Sequence, residues 1–308
     1  MSAPTNTFIS TSGVINREDL SDVVYMISPT DTPLLSGAGK TKATNTLHEW
    51  TTDALDAAAN NAQAEGDDAV ALVVQPGVRV NNRTQISRKV VRLSGTQQAM
   101  QSAGNLYTMA KQMSKQMAAL KRDIEVGLTQ NTTAVAGATR QTRGLEGWVA
   151  TNNSLGAGGS APVPGSNTAP VDGTQRAFTE ALLKTVLQNV WNSGGKPDTI
   201  MVGGTQKQTF STFTAGFTQM GNADDNKLVA SIEVYVSDFG TLKVVPNRFQ
   251  RARTAFVLEM DKWKVAYLRS YDTTDLAKTG DSDAKQVIVE YALEASNEAA
   301  SGAVRDLL

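Results

Sequence analysis

Between Asn105 and Gln130 the apolar residues fall at Leu106, Met109, Met113, Met117, Leu120, Ile124 and Leu128. The steps of 3, 4, 4, 3, 4 and 4 form an 11-residue repeat taken twice. That is about 3.67 residues per turn, close to the natural period of a straight α-helix. The opposite side carries Lys111, Lys115, Lys121, Arg122 and Glu125; no Pro interrupts the stretch, and its interior Gly, Gly127, lies near the end. The pattern predicts a helix over 105–130, a rod of roughly 39 Å at about 1.5 Å per residue. One narrow apolar stripe on so long a rod suits a strut lying on a sheet; an ordinary core helix of an enzyme is the alternative.

Ahead of this helix the pattern is extended. Thr46–Leu55 places His48, Trp50, Thr52 and Ala54 on one side. Gly77–Leu93 reads as one longer strand, with Val78, Val80, Ile86 and Val90 on one side and Arg79, Asn81, Arg83, Gln85 and Lys89 on the other. Between them, Asp56–Asp68 is Ala, Asn, Gln, Gly and acid with little to bury, and Ala69–Val74 leads back. The pair predicts a long two-stranded finger. Such a ribbon is marginal alone in water, so it needs a surface from its own chain or from another copy. The first residues, Met1–Ile15, read as a polar arm without a core. Asn16, with Glu18 and Asp19, opens a short helix through Leu20, Val23, Val24 and Ile27 that Pro29 stops.

Behind the helix, Thr151–Gly173 is dense in Gly, Asn, Ser, Pro and Ala and marks the expected domain boundary. A second unit follows. A helix capped by Thr174 contains Phe178, Leu182, Val186 and Val190 and ends at Gly194-Gly195. Thr199–Val202 is a buried strand, and Thr205 with Gln208 forms a capping box before Phe210, Phe213 and Phe217. Ser231–Val236 and Leu242–Val245 flank the turn Asp238-Phe239-Gly240-Thr241. Thr254–Leu258 and Lys264–Arg269 flank a second turn around Asp261-Lys262. Thr273–Lys285 reads as a loop, and Gln286–Leu293 as a strand alternating Val287, Val289, Tyr291 and Leu293. The last residues, Glu294–Leu308, are charged and small, and no internal repeat is found.

Composition narrows the chemistry. A chain of 308 residues with 40% hydrophobic and 19% charged residues suits one large or two modest globular domains. The net charge of −1 gives no electrostatic reason for tight nucleic-acid binding. With no Cys, disulfides, thiolate catalysis and Cys-ligated metals are excluded, and a single His, His48, excludes a His-based triad or a multi-His metal site within one chain. No signal peptide and no membrane span are evident; the expectation is a soluble protein matured in a reducing compartment. Leu34-Leu35-Ser36-Gly37-Ala38-Gly39-Lys40-Thr41 imitates a phosphate-binding loop, but Leu34 stands where that motif needs Gly and a Pro/Thr/Asp turn stands where it needs a strand. It reads as a plain Gly-rich turn. His48 beside Glu49 is half of a metal or acid–base pair, but adjacent strand residues face opposite ways, so His48 is expected to pack with Trp50. Glu65, Asp67 and Asp68 read as a solvated turn. Asp281 and Asp283 start a calcium-loop pattern that has no Gly at its sixth position or Glu at its twelfth. Asn82-Arg83-Thr84 and Asn131-Thr132-Thr133 match a glycosylation pattern without any sign of secretion. No catalytic, cofactor-binding or metal residues are assigned, and no cofactor.

The order of elements (polar arm, finger, long helix, α/β unit, late strands) resembles the major capsid proteins of tailed bacteriophages, the Hong Kong 97-type fold. Short stretches resemble one subgroup of those proteins. They are Asp31-Thr32-Pro33-Leu34-Leu35, Lys42-Ala43-Thr44-Asn45-Thr46-Leu47-His48-Glu49-Trp50, Leu93-Ser94-Gly95-Thr96-Gln97, Leu120-Lys121-Arg122-Asp123-Ile124-Glu125, Ser237-Asp238-Phe239-Gly240, Val245-Pro246-Asn247-Arg248-Phe249, Leu276-Ala277-Lys278-Thr279-Gly280-Asp281-Ser282 and Glu290-Tyr291. Together they run from about residue 31 to the C-terminus.

The resemblance implies an α+β fold with residues 1–45 as N-terminal arm and 46–92 as an extended β-hairpin loop over a neighbour. It implies 93–150 as peripheral domain with spine helix 105–130, 151–250 as axial domain, and 251–308 as strands completing both. It also implies hexamers and pentamers of this chain in a head shell enclosing the phage genome. Portal, scaffolding and decoration proteins would be further partners, with packaged DNA faced loosely and no membrane. A scaffolding segment often precedes the arm in this family; the short arm here implies separate, removed or unnecessary scaffolding. Some members cross-link through a Lys of the extended loop; no Lys lies between Lys42 and Lys89 here, so non-covalent contacts are expected. Two alternatives are another virion protein (portal, tail tube or decoration protein) and a nucleotide-using enzyme built on Gly39-Lys40-Thr41.

Overall fold

The computed structural model describes residues 28, 30–53, 55, 58–63, 65, 66, 68, 76–100, 108–213 and 233–308. The expected polar arm 1–15, the helix after Asn16, and the Ala69–Val74 lead-in lie outside the described residues. In chain order come helix α1 (Pro33–Gly37), strands β1 (Gly39–Lys42), β2 (Leu47–Thr52), β3 (Val78–Arg83) and β4 (Gln85–Ser94), then helices α2 (Gly95–Ala99), α3 (Met109–Thr129) and α4 (Leu145–Trp148). Strand β5 (Asn152–Ser154), helix α5 (Glu180–Asn192), strand β6 (Thr199–Val202) and helix α6 (Gly204–Phe210) follow. Strands β7 (Val234–Ser237), β8 (Gly240–Pro246), β9 (Ala255–Leu258), β10 (Trp263–Asp275), β11 (Ser282–Ala295) and β12 (Gly302–Val304) complete the set.

These strands make a four-stranded sheet in the order β1-β10-β11-β4, a six-stranded sheet in the order β5-β12-β9-β6-β8-β7, and a β2-β3 ribbon. The long apolar stripe does what its period demands: α3 lies across the four-stranded sheet. Leu120, Ile124 and Leu128 are fully buried against Val287, Val289, Tyr291 and Leu293, the alternating set of β11. The helix is described from its N-cap Thr108 onward, and residues 105–107 of the expected span lie outside the described residues. Along α3 the stripe is unevenly covered: Met113 and Met117 are only half-buried, whereas the last two turns are sealed.

The central strands β6, β9 and β12 of the six-stranded sheet are buried on both faces, which explains the unbroken apolar runs Thr199–Val202 and Ala255–Leu258. Alternation divides them. Ile200, Val202, Ala255 and Val257 join a core beneath α5 and α6 with Leu183, Val186, Leu187 and Phe210. Met201, Phe256 and Leu258 point the other way, into the core that α3 covers. One sheet thus ties the two cores together.

Several expectations change. Gly77–Leu93 is not one strand: it breaks at Thr84, so β3 pairs with β2 while β4 pairs with β11. The tertiary cause is visible at the break, where buried Thr84 donates its hydroxyl to Glu290 Oε1 at 2.8 Å. Ile86 and Val90 accordingly lie on the exposed face of β4, not in the core. The supposed Gly-rich turn at 34–41 is a one-turn helix and a strand pairing in parallel with β10. The loop Thr273–Lys285 shrinks to six residues, because β10 runs to Asp275 and β11 starts at Ser282. β9 and β10 flank the turn at Asp261-Lys262 but enter different sheets. Helix α5 starts at Glu180, after Thr179, rather than at Thr174; α6 begins behind Gly203, and Thr205 does not cap it. The charged, small C-terminus is buried: β12 inserts between β5 and β9, and Leu307 is fully covered. The stretch 151–173 is folded rather than a free linker, with Gly156 and Gly173 amides bonded to the buried Asp306 carboxylate at 2.9 and 2.7 Å.

Candidate functional site

Three of the short stretches singled out in the sequence meet at one carboxylate. Glu125 sits on the inward side of α3 with no solvent exposure. Its Oε1 accepts the Leu34 amide and its Oε2 the Leu35 amide, both at 2.8 Å. These are orphan donors of the first turn of α1, which Thr32 does not cap. Asn247 Nδ2 donates to Oε1 at 2.6 Å. Helix α1, helix α3 and the loop behind β8 are therefore locked together by one side chain. Burial pushes the carboxyl above its ordinary value, and the three donors pull part of the way back.

The other stretches are also tied down, two of them to each other and the rest to residues elsewhere in the chain. His48 Nε2 lies 2.8 Å from Glu294 Oε2, Trp50 donates its ring N–H to the Ala295 carbonyl at 2.9 Å, and the Trp50 and Trp148 rings stand 5.3 Å apart. Asn82, at the root of the ribbon, donates to the Leu293 carbonyl at 2.7 Å and to Thr142 Oγ1 at 2.9 Å, and accepts the Arg143 amide at 2.9 Å. Ser94 caps α2, and the Gly95 amide donates to the Asp281 carbonyl; a Cβ on Gly95 would come within 2.3 Å of the Asp281 side chain. Glu290 gathers Thr84, Arg140 and Arg269, which hold its carboxyl below the ordinary value against the opposing effect of burial. Phe239, in the turn before Gly240, stacks at 5.4 Å on Trp191. Beyond these pairs, buried Glu146 takes Arg251 at 2.7 Å, and its carboxyl is pushed up by burial despite Arg251 and Arg305.

This is machinery for holding segments together. Among the described residues no cluster of acids and His could hold a metal ion, and no helix is long and apolar enough to cross a membrane. Lys40 lies on a strand of a sheet rather than in a phosphate cradle. His48 pairs with one carboxylate and packs on Trp50 at 5.5 Å. Asp283 is bonded to Lys278 at 2.7 Å, so the broken calcium pattern is an ion pair. Asn82 is fully buried and in use, which closes that glycosylation match. The acid turn is described only at Glu65 and Asp68, both exposed. Sequence reasoning missed the Glu125 junction. Its signal was an acid on a helix whose other charges are mostly basic, together with a helix start that lacked a cap.

A long helix across a sheet finished by late strands, a two-stranded ribbon ahead of it, and a second sheet whose central strands are covered on both faces make up the Hong Kong 97-type fold of phage capsid proteins. The chain is similar to the cyanophage A-1(L) capsid asymmetric unit, with a TM-score of 0.69, 12% identity, and coverage of 97% of this chain and 99% of that one. It is similar to the capsid of a native GTA particle, with a TM-score of 0.63 and 12% identity over 97% of this chain and 98% of that one. For a Gordonia phage Cozz chain the TM-score is 0.61 at 9% identity, over 98% and 96%. In sequence, the major capsid protein of Escherichia phage Phieco32 is 26% identical over 346 residues, spanning 98% of this chain and 97% of the relative. The model of the SU10 major capsid protein family matches residues 3–308, and the chain belongs to that family. The protein is thus a phage major capsid protein, a structural component of the virion rather than a member of an enzyme family.

Proposed function

We propose that copies of this chain associate as hexamers and pentamers into the closed head shell, assembled in the host cytoplasm, with packaged DNA held loosely inside. Residues 1–45 act as the arm and 46–92 as the loop draped over a neighbour. Residues 93–150 form the peripheral domain, 151–250 the axial domain at the capsomer centres, and 251–308 the strands that complete both. The observation that carries this reading is the unfinished four-stranded sheet. Its α3 side is packed, while its other side exposes Ile86 at 43% and Val90 at 48% on the edge strand β4.

The physics favours completion by identical neighbours. Ordering a thin ribbon costs about 1–2 kcal/mol per residue in backbone entropy alone. Lying on a neighbour offsets that cost through strand edges and apolar contact. A specific interface buries on the order of 1,600 Å², and closure repeats each modest contact around the shell. Portal, scaffolding and decoration proteins are further partners of such a shell.

Removing residues 56–75 tests the reading. The expected outcome is a folded subunit that no longer yields shells; normal heads in electron micrographs would refute it. The shell is expected to be held without covalent cross-links. Heads boiled in detergent should run as one band near 33 kDa, the 32.7 kDa chain, and a ladder would contradict this.

A further inference from the structure

We propose that Trp50, Trp148 and Arg143 form a stiff elbow that sets the angle at which the β2-β3 ribbon leaves the subunit, and that this angle sets the curvature of the shell. The second half rests on the shell reading above and gives that reading its positioning residues.

The ribbon is anchored separately on each of its strands. His48 and Trp50 of β2 stand opposite Asn82 and Val80 of β3. On β2, the Trp50 ring N–H donates to the Ala295 carbonyl at 2.9 Å, and His48 Nε2 lies 2.8 Å from Glu294. On β3, Asn82 donates to the Leu293 carbonyl and to Thr142, and accepts the Arg143 amide. With both strands held, the root can neither swing nor roll. The next pair outward is Thr51 with Arg79, and both are exposed. Arg79 meets Glu49 on the ribbon itself, at 3.9 Å.

Behind Trp50 the anchor is braced. The Trp50 and Trp148 rings stand 5.3 Å apart at a 45° tilt, and the Arg143 guanidinium lies over the Trp148 ring at 4.5 Å. Arg143 donates to Asn167 Oδ1 at 2.7 Å. Asn167, at a left-handed φ of 55°, also pairs with the amide and the carbonyl of Ala134. Three flat groups thus run from the ribbon root to the folded stretch 151–173.

Stability alone does not account for this choice of residues. Trp148 and Arg143 are 1% and 2% exposed. Among the described residues the Trp148 ring N–H and Arg143 Nη1 have no hydrogen-bond partner, and no carboxylate pairs with Arg143. Burial pulls the Arg143 pKa down to about 10, which leaves it charged at neutral pH. A buried cation without an acid is less favourable than an aliphatic side chain of similar volume. Ring–ring and cation–π contacts depend on orientation, whereas a Met or Leu filling adapts to several. The stack therefore resists a change of angle, and local rules are broken where geometry is needed.

The angle matters through leverage. From Leu47 to Thr52 the strand is roughly 16 Å long at about 3.3 Å per residue. A tilt of about 10° at the root moves its outer end by roughly 3 Å, more than interdigitated side chains accommodate. Where the ribbon lies on a neighbour, the same tilt changes the angle between two copies, and a closed shell repeats it at every contact.

The elbow is tested first in the unassembled subunit. The chain has no Cys, so Arg79→Cys on the ribbon and Lys121→Cys on α3 can be spin-labelled as a unique pair. Both positions are exposed. The distribution of distances between the labels should be narrow in this background and should at least double in width with Trp50→Leu. It should stay narrow with Trp50→Phe, which keeps a ring against Trp148. Arg143→Lys, which keeps the charge but not the flat group, should widen it less. In assembly, Trp50→Leu should give heads with a broader spread of diameters in electron micrographs, and Trp50→Phe heads of the parent's diameter. An unchanged width in Trp50→Leu overturns the elbow. Fewer heads, all of the parent's diameter, overturn its link to curvature, because the stack would then contribute stability alone. If Trp50→Leu does not fold, Arg143→Lys decides on the same two readouts. If the unaltered chain forms no shells, the shell reading fails and the curvature claim with it, while the label distances still decide the elbow.

Discussion

At the centre of the six-stranded sheet, in β6, β9 and β12, the chain covers both faces, with α5 and α6 on one and the α3 core on the other, while Val234 and Val236 on the edge strand β7 stay open. In the four-stranded sheet it covers one. The side beneath α3 buries Val287, Val289 and Tyr291 completely, while the reverse side leaves Ile86, Val90, Arg88 and Arg92 open along β4. The ribbon is likewise half finished. Its root is fixed by Asn82, Trp50 and the Thr84 break, while Val78 near its outer end is 65% exposed. The interior of the six-stranded sheet is the half closed within the subunit; the four-stranded sheet, the ribbon and the edge strand β7 make up the half that keeps apolar surface. A protein that acts by packing against copies of itself needs both properties: a unit stable enough to present an interface and an interface not already used.

Substitutions should separate the two halves. The largest loss is expected at Phe256, fully buried on the side of β9 that faces the α3 core. Phe256→Ala should cost about 3–5 kcal/mol by deleting a large side chain where both flanking layers are fixed. The measurement is denaturant unfolding of the subunit, and a cost below about 1 kcal/mol would show that this half is less closed than described.

Next is Glu125→Ala, which strands the Leu34 and Leu35 amides and the Asn247 amide in a buried site. With one orphaned donor worth about 1–3 kcal/mol, a loss near 3 kcal/mol is expected. Amide exchange at Leu34 and Leu35 should rise well before that of β9. The pH dependence has a definite sign. Burial lifts this carboxyl above its ordinary 4.5, so the folded chain holds the proton more tightly than the unfolded one. Its contribution is fully present below pH 4.5 and is lost as pH rises through the lifted value. Compared with Glu125→Gln, which does not titrate, the parent should therefore gain relative stability in acid. A pH-independent difference would remove the buried ionisable junction from the account.

The smallest effect on folding is expected on the open side. Ile86→Ser with Val90→Ser should change subunit stability by less than about 0.5 kcal/mol, as surface replacements do, yet reduce the yield of particles seen by size-exclusion chromatography. Unaltered yield would leave that face without an assembly role.

How much of this was legible from the residues depends on whether the signal was local. The 3–4 stripe of α3, the alternation of β11 and the Asp238–Gly240 turn were readable, because each records contact with one neighbour at a fixed period. The short stretches that suggested the capsid family were readable as strings, but not as a network. Nothing in Asp31–Leu35 says that its amides need a carboxylate from residue 125, ninety positions away in sequence.

Tertiary contact alone decided the rest. Gly77–Leu93 has one continuous extended pattern, and only Glu290 reaching Thr84 divides it between two sheets. Glu294–Leu308 has the composition of an exposed tail, yet Gly302, Ala303 and Val304 are buried because β5 and β9 leave a strand-wide gap between them. Side-chain period fixes which face of an element turns inward; which distant segment meets that face is settled only when the whole chain competes for the same buried surface and the same unpaired backbone groups.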